Sequence, residues 1–233
     1  LTRAMYGAMV EALRGGDADP AVRCHVFLGV PGAFSAGNDL LDFLSVATGG
    51  EGGTEVWEFL MALANSEKPM VSGADGIAVG IGTTLHLHCD LTFATPRTVF
   101  HTPFTDLGLV PEAGSSLIAP LLMGRQNAFA LLALGEPFSA ARALDLGMIY
   151  SVVGEDDLEG AVMAAAARIA AKPPQALKIA RDLMRAPRSV LLERIEDGSA
   201  VALGHHALDV GAADQEIRDP RLLGTWGVLP VEL

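Results

Sequence analysis

The chain has 233 residues, half of them hydrophobic, with a formal net charge of −12 and a pI near 4.8. That composition supports one large buried core, or one domain with a small appendage, and excludes disorder for most of the chain. The sixteen Lys and Arg residues are scattered, which argues against a general nucleic-acid binder but leaves room for a local basic pocket around one phosphorylated ligand.

The chain opens inside an amphipathic helical pattern, Met5, Met9 and Leu13 with Tyr6 and Val10 beside them. Leu1 is not an initiator methionine, so further residues are expected upstream. Residues 22–30 (VRCHVFLGV) read as a buried strand ending at Pro31-Gly32. Phe34-Ser-Ala-Gly-Asn-Asp follows. Asp39 caps an expected helix over 40–46, which puts Asn38 at a strand-to-helix corner where a backbone N–H goes unpaired. Residues 49–53 form a loop, and 54–65 carry helical spacing that ends at Lys68-Pro69.

Residues 70–79 read as one strand before a Gly80-x-Gly82 bend, and 83–89 continue as a helix. Strand, glycine turn and helix N-terminus in that order present free N–H groups and a positive dipole end to an anion. Strands are expected at 91–95 and 98–101, and helices at 117–123, 127–134 and 139–146. A strand follows at 148–153. The rear is helical, over 158–171, 175–185 and 190–207 or beyond, the second of these entered through Pro173-Pro174. The coarse result is an alternating α/β front with an all-helical rear.

Several motifs are set aside. Gly80-x-Gly82 lacks the third glycine of a dinucleotide fingerprint, and there is no P-loop. His86 and His88, two residues apart, fall on different faces of a helix, which favours packing over joint metal ligation; His205-His206 has the same defect. Ser115-Ser116 lacks the G-x-S-x-G arrangement and reads as a helix start. Cys24 and Cys89 have no disulfide or zinc spacing and read as apolar fillers in a reducing compartment. No apolar run approaches the roughly 20 residues of a membrane helix, and a cytoplasmic protein is expected.

Glu112 is the residue with chemical promise. A first-turn glutamate is ordinarily solvated and favourable there. However, residues 107–111 are apolar apart from a glycine, and Ala113-Gly114 leaves room for a ligand. A carboxylate among apolar neighbours has a raised pKa, which suits a general base near neutrality.

Phe34-Ser-Ala-Gly-Asn-Asp-Leu and Asp75-Gly-Ile-Ala-Val-Gly-Ile-Gly resemble the two glycine-rich corners of the crotonase (enoyl-CoA hydratase/isomerase) superfamily. Lys68-Pro69, Cys89-Asp90-Leu91, Gly135-Glu-Pro-Phe-Ser-Ala and Gly147-Met-Ile fall in the family's order, so the similarity covers nearly the whole chain. The resemblance implies an α/β fold of the crotonase (ClpP-like) type, a spiral of ββα units, with a core over 1–172 and a helical trimerisation region over 173–233. It implies an acyl-CoA thioester substrate with no separate cofactor and no metal, and assembly as a homotrimer or a hexamer of paired trimers. No nucleic acid or membrane partner is expected.

By position, the resemblance assigns the backbone N–H groups of Asn38 and Ile81 to an oxyanion hole. Substrate contacts fall to Ala36, Gly37, Asp39, Leu40, Gly80, Thr84 and Phe104. Because the donors are main-chain atoms, Asn38→Ala is expected to be mild. Thr84 and Phe104 stand where hydratases carry two glutamates, so water activation is not expected. Phe100-His-Thr-Pro-Phe and Leu109-Val-Pro-Glu-Ala-Gly-Ser-Ser are similar to the peroxisomal-type 3,2-enoyl-CoA isomerases, which makes Glu112 the catalytic base. Hydration or thioester hydrolysis using Asp106 or Glu136, enolate chemistry on a non-fatty acyl group, and non-catalytic acyl-CoA binding remain alternatives. Lys68, Arg97 and Arg125 are candidates for the CoA phosphates.

Overall fold

The computed structural model describes residues 1–38 and 54–202. Helix α1 (Arg3–Ala18) starts at Thr2, whose hydroxyl accepts from the Met5 N–H. Its buried stripe is Tyr6, Val10 and Leu13, whereas Met5 is 49% exposed, so the expected Met5, Met9, Leu13 line is rotated by one residue. Helix α2 (Thr54–Asn65) packs on α1, with the Tyr6 and Phe59 rings 5.4 Å apart. The helix expected over 40–46 and the loop over 49–53 lie outside the described residues.

The centre is a repeated strand-turn-strand. Strands β1 (His25–Leu28) and β2 (Ala33–Ser35) are followed by β3 (Met70–Ala74), β4 (Ile77–Val79) and α3 (Ile81–His88). Next come β5 (Leu91–Ala94) and β6 (Val99–His101), then α4 (Ser115–Met123), α5 (Arg125–Leu132) and β7 (Phe138–Ser139). Helix α6 (Ala140–Asp145), β8 (Ser151–Val152), α7 (Leu158–Ala170), α8 (Pro174–Met184) and α9 (Arg188–Ala202) complete the described chain. One sheet, ordered β1-β3-β5-β8, is parallel throughout. The second, β2-β4-β6-β7, is parallel except for β7.

The single strand read over 70–79 is two strands in different sheets. Gly76 makes the break with φ +71, and a Cβ there would lie 1.9 Å from the Gly32 carbonyl oxygen, so the chain crosses too closely for any side chain. Asp75 pins the same place. Its carboxylate accepts from Gly32 N–H (2.6 Å), the Thr95 hydroxyl (2.7 Å) and Arg97 Nε (2.6 Å), joining the β1–β2, β3–β4 and β5–β6 crossings.

The Arg97 guanidinium, with those other donors, holds the Asp75 carboxyl well below the usual carboxylate range. A depressed folded-state pKa gives stability that is present above the ordinary Asp value near 4 and is lost as pH falls further. Asp75→Asn is expected to cost about 1–3 kcal/mol at pH 7 and to shrink the difference from wild type in acid, read from denaturant unfolding at both pH values.

An apolar cluster holding Phe100, Phe104, Leu131 and Phe138 lies against the second sheet, and Leu158 and Val162 of α7 cover Val71 and Phe93 of the first. A further cluster joins Tyr6, Phe59, Leu63, Ile81, Leu85 and Ala113 with Leu191 and Ile195 of α9. Arg181 of α8, 4% exposed, bonds Asp90 at 2.9 Å and so ties α8 to the strand that follows α3.

Candidate active site

Strands β2, β4 and β6 are parallel neighbours, so their chain ends face the same way and the three turns after them meet at one edge. Ser35 is in register with Ala78. Asn38 lies three residues beyond Ser35 and Ile81 three beyond Ala78 (38 − 35 and 81 − 78), so equal steps bring both to neighbouring corners. Gly37 takes φ +92 and Gly80 φ +56, conformations that aim the chain out of each strand. The Gly80 carbonyl accepts from Thr83 and Thr84 N–H at 2.8 and 2.9 Å, which starts α3. Among the described residues, no acceptor stands against the N–H of Asn38 or of Ile81.

Ala36 is exposed at its corner, while Gly37 is buried with its N–H on Ser35 Oγ at 3.1 Å. Among the described residues, a Cβ on Gly80 would meet nothing within 4 Å. Asp39 and Leu40 lie outside the described residues. Phe104 is 5% exposed inside the apolar cluster with Phe100 and Leu131, so its position is that of a core side chain.

Glu112 follows the 3₁₀ turn Thr105–Leu107 and precedes α4. Its backbone turn is tight: Ala113 has φ +53, the one non-glycine residue at positive φ among those described, and Gly114 follows at φ +64. The Ser115 N–H and hydroxyl both donate to the Glu112 carbonyl, at 2.9 and 2.6 Å. His88 Nε2–H donates to the Ala113 carbonyl at 2.7 Å, an assignment of the proton that the carbonyl acceptor requires. A Cβ on Gly114 would lie 2.5 Å from Leu191 Cδ1, so α9 closes over the turn.

The Glu112 side chain receives the Thr84 hydroxyl at 2.6 Å on Oε1. Thr84 itself is fully buried on α3. Glu112 keeps partial solvent contact, as a group that must meet a ligand needs, yet the surrounding protein desolvates it enough to push its pKa up to about 7, against the opposing Thr84 hydrogen bond. Desolvation of the charged form wins over a single neutral donor.

The histidines behave as packing groups with a defined task. Burial pulls His86 down to about 3 and His88 to about 4, so both are neutral at physiological pH. His86 bonds Ser72 at 2.8 Å, with ring contacts to Phe34 and Phe100 at 4.3 and 5.5 Å. The bond from His88 to the Glu112 turn had no signal in its spacing. The Tyr6 hydroxyl, for which the sequence offered no signal, donates to the Asn38 side-chain carbonyl oxygen, and burial together with the Glu112 carboxylate raises its pKa.

The competing acids stand elsewhere. Asp106 is exposed and lies over Gly135, while Glu136 pairs with Arg142 at 3.0 Å. Two of the phosphate candidates are already engaged, Lys68 with the Gly16 and Asp19 carbonyls and Arg97 with Asp75. Arg125 is exposed at the start of α5. Among the described residues no group of three or more His, Cys, Asp or Glu is placed to hold a metal ion, and no helix is long and apolar enough to cross a membrane. Cys24 and Cys89 form no disulfide; both are partly buried and packed against apolar clusters, and burial pushes their thiols up to about 11 and about 12.

A spiral of ββα units with two glycine corners beside a desolvated carboxylate is a crotonase-like fold. The chain belongs to the enoyl-CoA hydratase/isomerase family, whose model matches residues 1–204. It is 33% identical over 208 residues to enoyl-CoA delta isomerase 2 of Rattus norvegicus, covering 87% of this chain and 53% of that protein. It is 30% identical over 195 residues to 1,2-epoxyphenylacetyl-CoA isomerase of Escherichia coli K12, covering 81% and 74%. The chain thus spans about half the length of the rat relative. Its structure is similar to an enoyl-CoA hydratase/isomerase from Pseudoalteromonas atlantica T6c, with a TM-score of 0.82, 32% identity, and 94% and 88% of the two chains covered.

Proposed function

We propose that this protein shifts the double bond of a 3-enoyl-CoA to the 2-position, with Glu112 as the only proton carrier. The observation that carries this reading is Glu112 itself: a desolvated carboxylate with a pKa near 7, bonded to a threonine hydroxyl where a hydratase would carry a second acid. Glu112 takes a proton from C2, the thioester oxygen becomes a dienolate oxygen facing the Asn38 and Ile81 N–H groups, and the same carboxyl returns a proton at C4. A group with pKa near the working pH gives and takes a proton with similar ease. A hydroxyl and a core phenyl ring at 84 and 104 cannot replace two carboxylates in activating water. The resemblance to the rat delta isomerase supports the same direction.

The test is direct. The purified protein is given 3-hexenoyl-CoA and, separately, crotonyl-CoA, and absorbance of the conjugated thioester is followed. A rise with the first and no loss with the second supports the isomerase; rapid loss of crotonyl-CoA absorbance with no isomerisation supports a hydratase. The E. coli relative favours a second reading, in which the same enolate chemistry serves an aromatic acyl group.

The base must be ionised to act, so kcat/KM should rise with pH and reach half its plateau near pH 7. The Thr84 hydroxyl lowers the Glu112 pKa. Thr84→Val is therefore expected to move that acid limb upward and to reduce activity at pH 7 several-fold, with the plateau at high pH retained. A limb that stays in place would mean the hydroxyl does not act on Glu112. Trimeric assembly is part of the proposal, supported by the exposed Ile179, Leu183 and Met184 on α8, and light scattering would measure it.

A further inference from the structure

The β2 corner carries one of the two proposed oxyanion donors, and among the described residues it is held at Gly37, whose carbonyl accepts from the Leu1 nitrogen, and at Asn38. Gly37 at φ +92 is bonded to Ser35 Oγ, and beyond it Asn38 is exposed. The hold on Asn38 comes from α1. Tyr6 is 1% exposed, its ring packs on Phe59 at 5.4 Å, and its hydroxyl donates to the Asn38 side-chain carbonyl oxygen. A ring needed only for packing would be served by phenylalanine. A buried phenol needs an acceptor, and here it finds one on the corner residue itself rather than on a core carbonyl.

We propose that Tyr6 is a positioning residue for the oxyanion hole: by holding the Asn38 side chain it fixes the corner so that the Asn38 N–H stays aimed at the thioester oxygen. The inference rests on the reading that this N–H is an oxyanion donor. Burial, and after it the Glu112 carboxylate, also hold this hydroxyl in its protonated, donating form. Preorganised donors stabilise developing charge because they need not reorient during the reaction, and a donor on a loose corner loses that advantage. On this proposal Asn38→Ala is no longer the mild change that a main-chain donor alone would imply. Its side chain is the handle by which the backbone donor is held, and Asn38→Ala should cost as much as Tyr6→Phe.

The experiment is a cycle of Tyr6→Phe, Asn38→Ala and the double variant. Each is measured for kcat and KM on 3-hexenoyl-CoA, for thermal midpoint, and for the pH at which bound acetoacetyl-CoA converts to its ultraviolet-absorbing enolate. Each single variant should lower kcat by about 3- to 10-fold with KM within about twofold, and should move enolate formation to higher pH. The double variant should be no worse than either single one. Losses that multiply, or a lowered thermal midpoint with the enolate titration unchanged, would overturn the proposal and leave Tyr6 a packing residue. If the wild type fails to isomerise 3-hexenoyl-CoA but the cycle on bound enolate shows the same coupling, the isomerase reading falls while the positioning role stands.

Discussion

Replacing Glu112 with glutamine is expected to lower turnover of 3-hexenoyl-CoA by about 10² or more while leaving the protein as stable as wild type, or more so, at pH 8. Glutamine keeps the shape and can still accept from the Thr84 hydroxyl, so the loss isolates the base. The stability side follows from the sign of the shift. The folded-state pKa is raised to about 7 from an ordinary glutamate value of 4.5, so the folded protein binds the proton more tightly than the unfolded chain. Stability from this group is then full in acid and falls as pH rises between those two values, reaching a deficit of order 3 kcal/mol above pH 7, less whatever partial solvent contact relieves. Glutamine has no charge to desolvate. The variant should therefore gain on wild type at pH 8 and match it near pH 4, as read by denaturant midpoints. Near-normal isomerisation by Glu112→Gln would sink the assignment of the base. A variant less stable than wild type at pH 8 would mean that the carboxylate is not held in a desolvated site.

The parts of this site that were legible in the sequence are those where chemistry forces a residue type. Gly80 takes a backbone angle that other residues resist, and with Gly82 it marks the second corner in the sequence itself. Glu112 stood out because an acid within an apolar stretch carries a desolvation cost that an ordinary surface glutamate does not. The strands of the second sheet were harder. β2 and β7 have three and two residues, too few to show an alternating pattern, and they form because β4 and β6 offer them edges to pair with. The stretch 70–79 hid a change of sheet: β3 is buried throughout whereas Ile77 of β4 is exposed, and Gly76 marks the crossing.

Tyr6 and His88 show a different limit. Tyr6 sits on the buried stripe of α1 and His88 on a helix buried on every side, placements that announce burial and nothing more. Each makes one hydrogen bond to a distant segment, 32 residues away for Tyr6 and 25 for His88, and such a bond has no local signature. Phe104 is the converse. Its alignment with a hydratase acid suggests a substrate contact, and the fold shows it 5% exposed within an apolar cluster.

The packing of the two corners leads to the second large effect. Gly82, in the first turn of α3, would place a Cβ 2.8 Å from Ser35 Cβ and 2.9 Å from the Ser35 carbonyl oxygen. Those atoms belong to the end of β2 and have no flexible tip that could swing aside. By helix propensity alone, Gly82→Ala should stabilise α3 by about 1 kcal/mol. Overpacking against backbone costs about 1–3 kcal/mol, so the clash outweighs that gain and a net loss is expected. The catalytic loss should be larger in proportion. Ser35 leads to Asn38 and Gly82 adjoins Ile81, so relieving the contact shifts one proposed donor against the other. A misplacement approaching 1 Å is worth up to about 10²-fold, and Gly82→Ala is expected to lower kcat by about 10- to 10²-fold, with a smaller change in KM. Gly160→Ala is the comparison, because a Cβ on this exposed residue of α7 meets nothing within 4 Å. It should raise stability by up to about 1 kcal/mol and leave turnover alone. If Gly82→Ala behaved like Gly160→Ala in both respects, the close contact of α3 with β2 would have no part in setting the distance between the two donors.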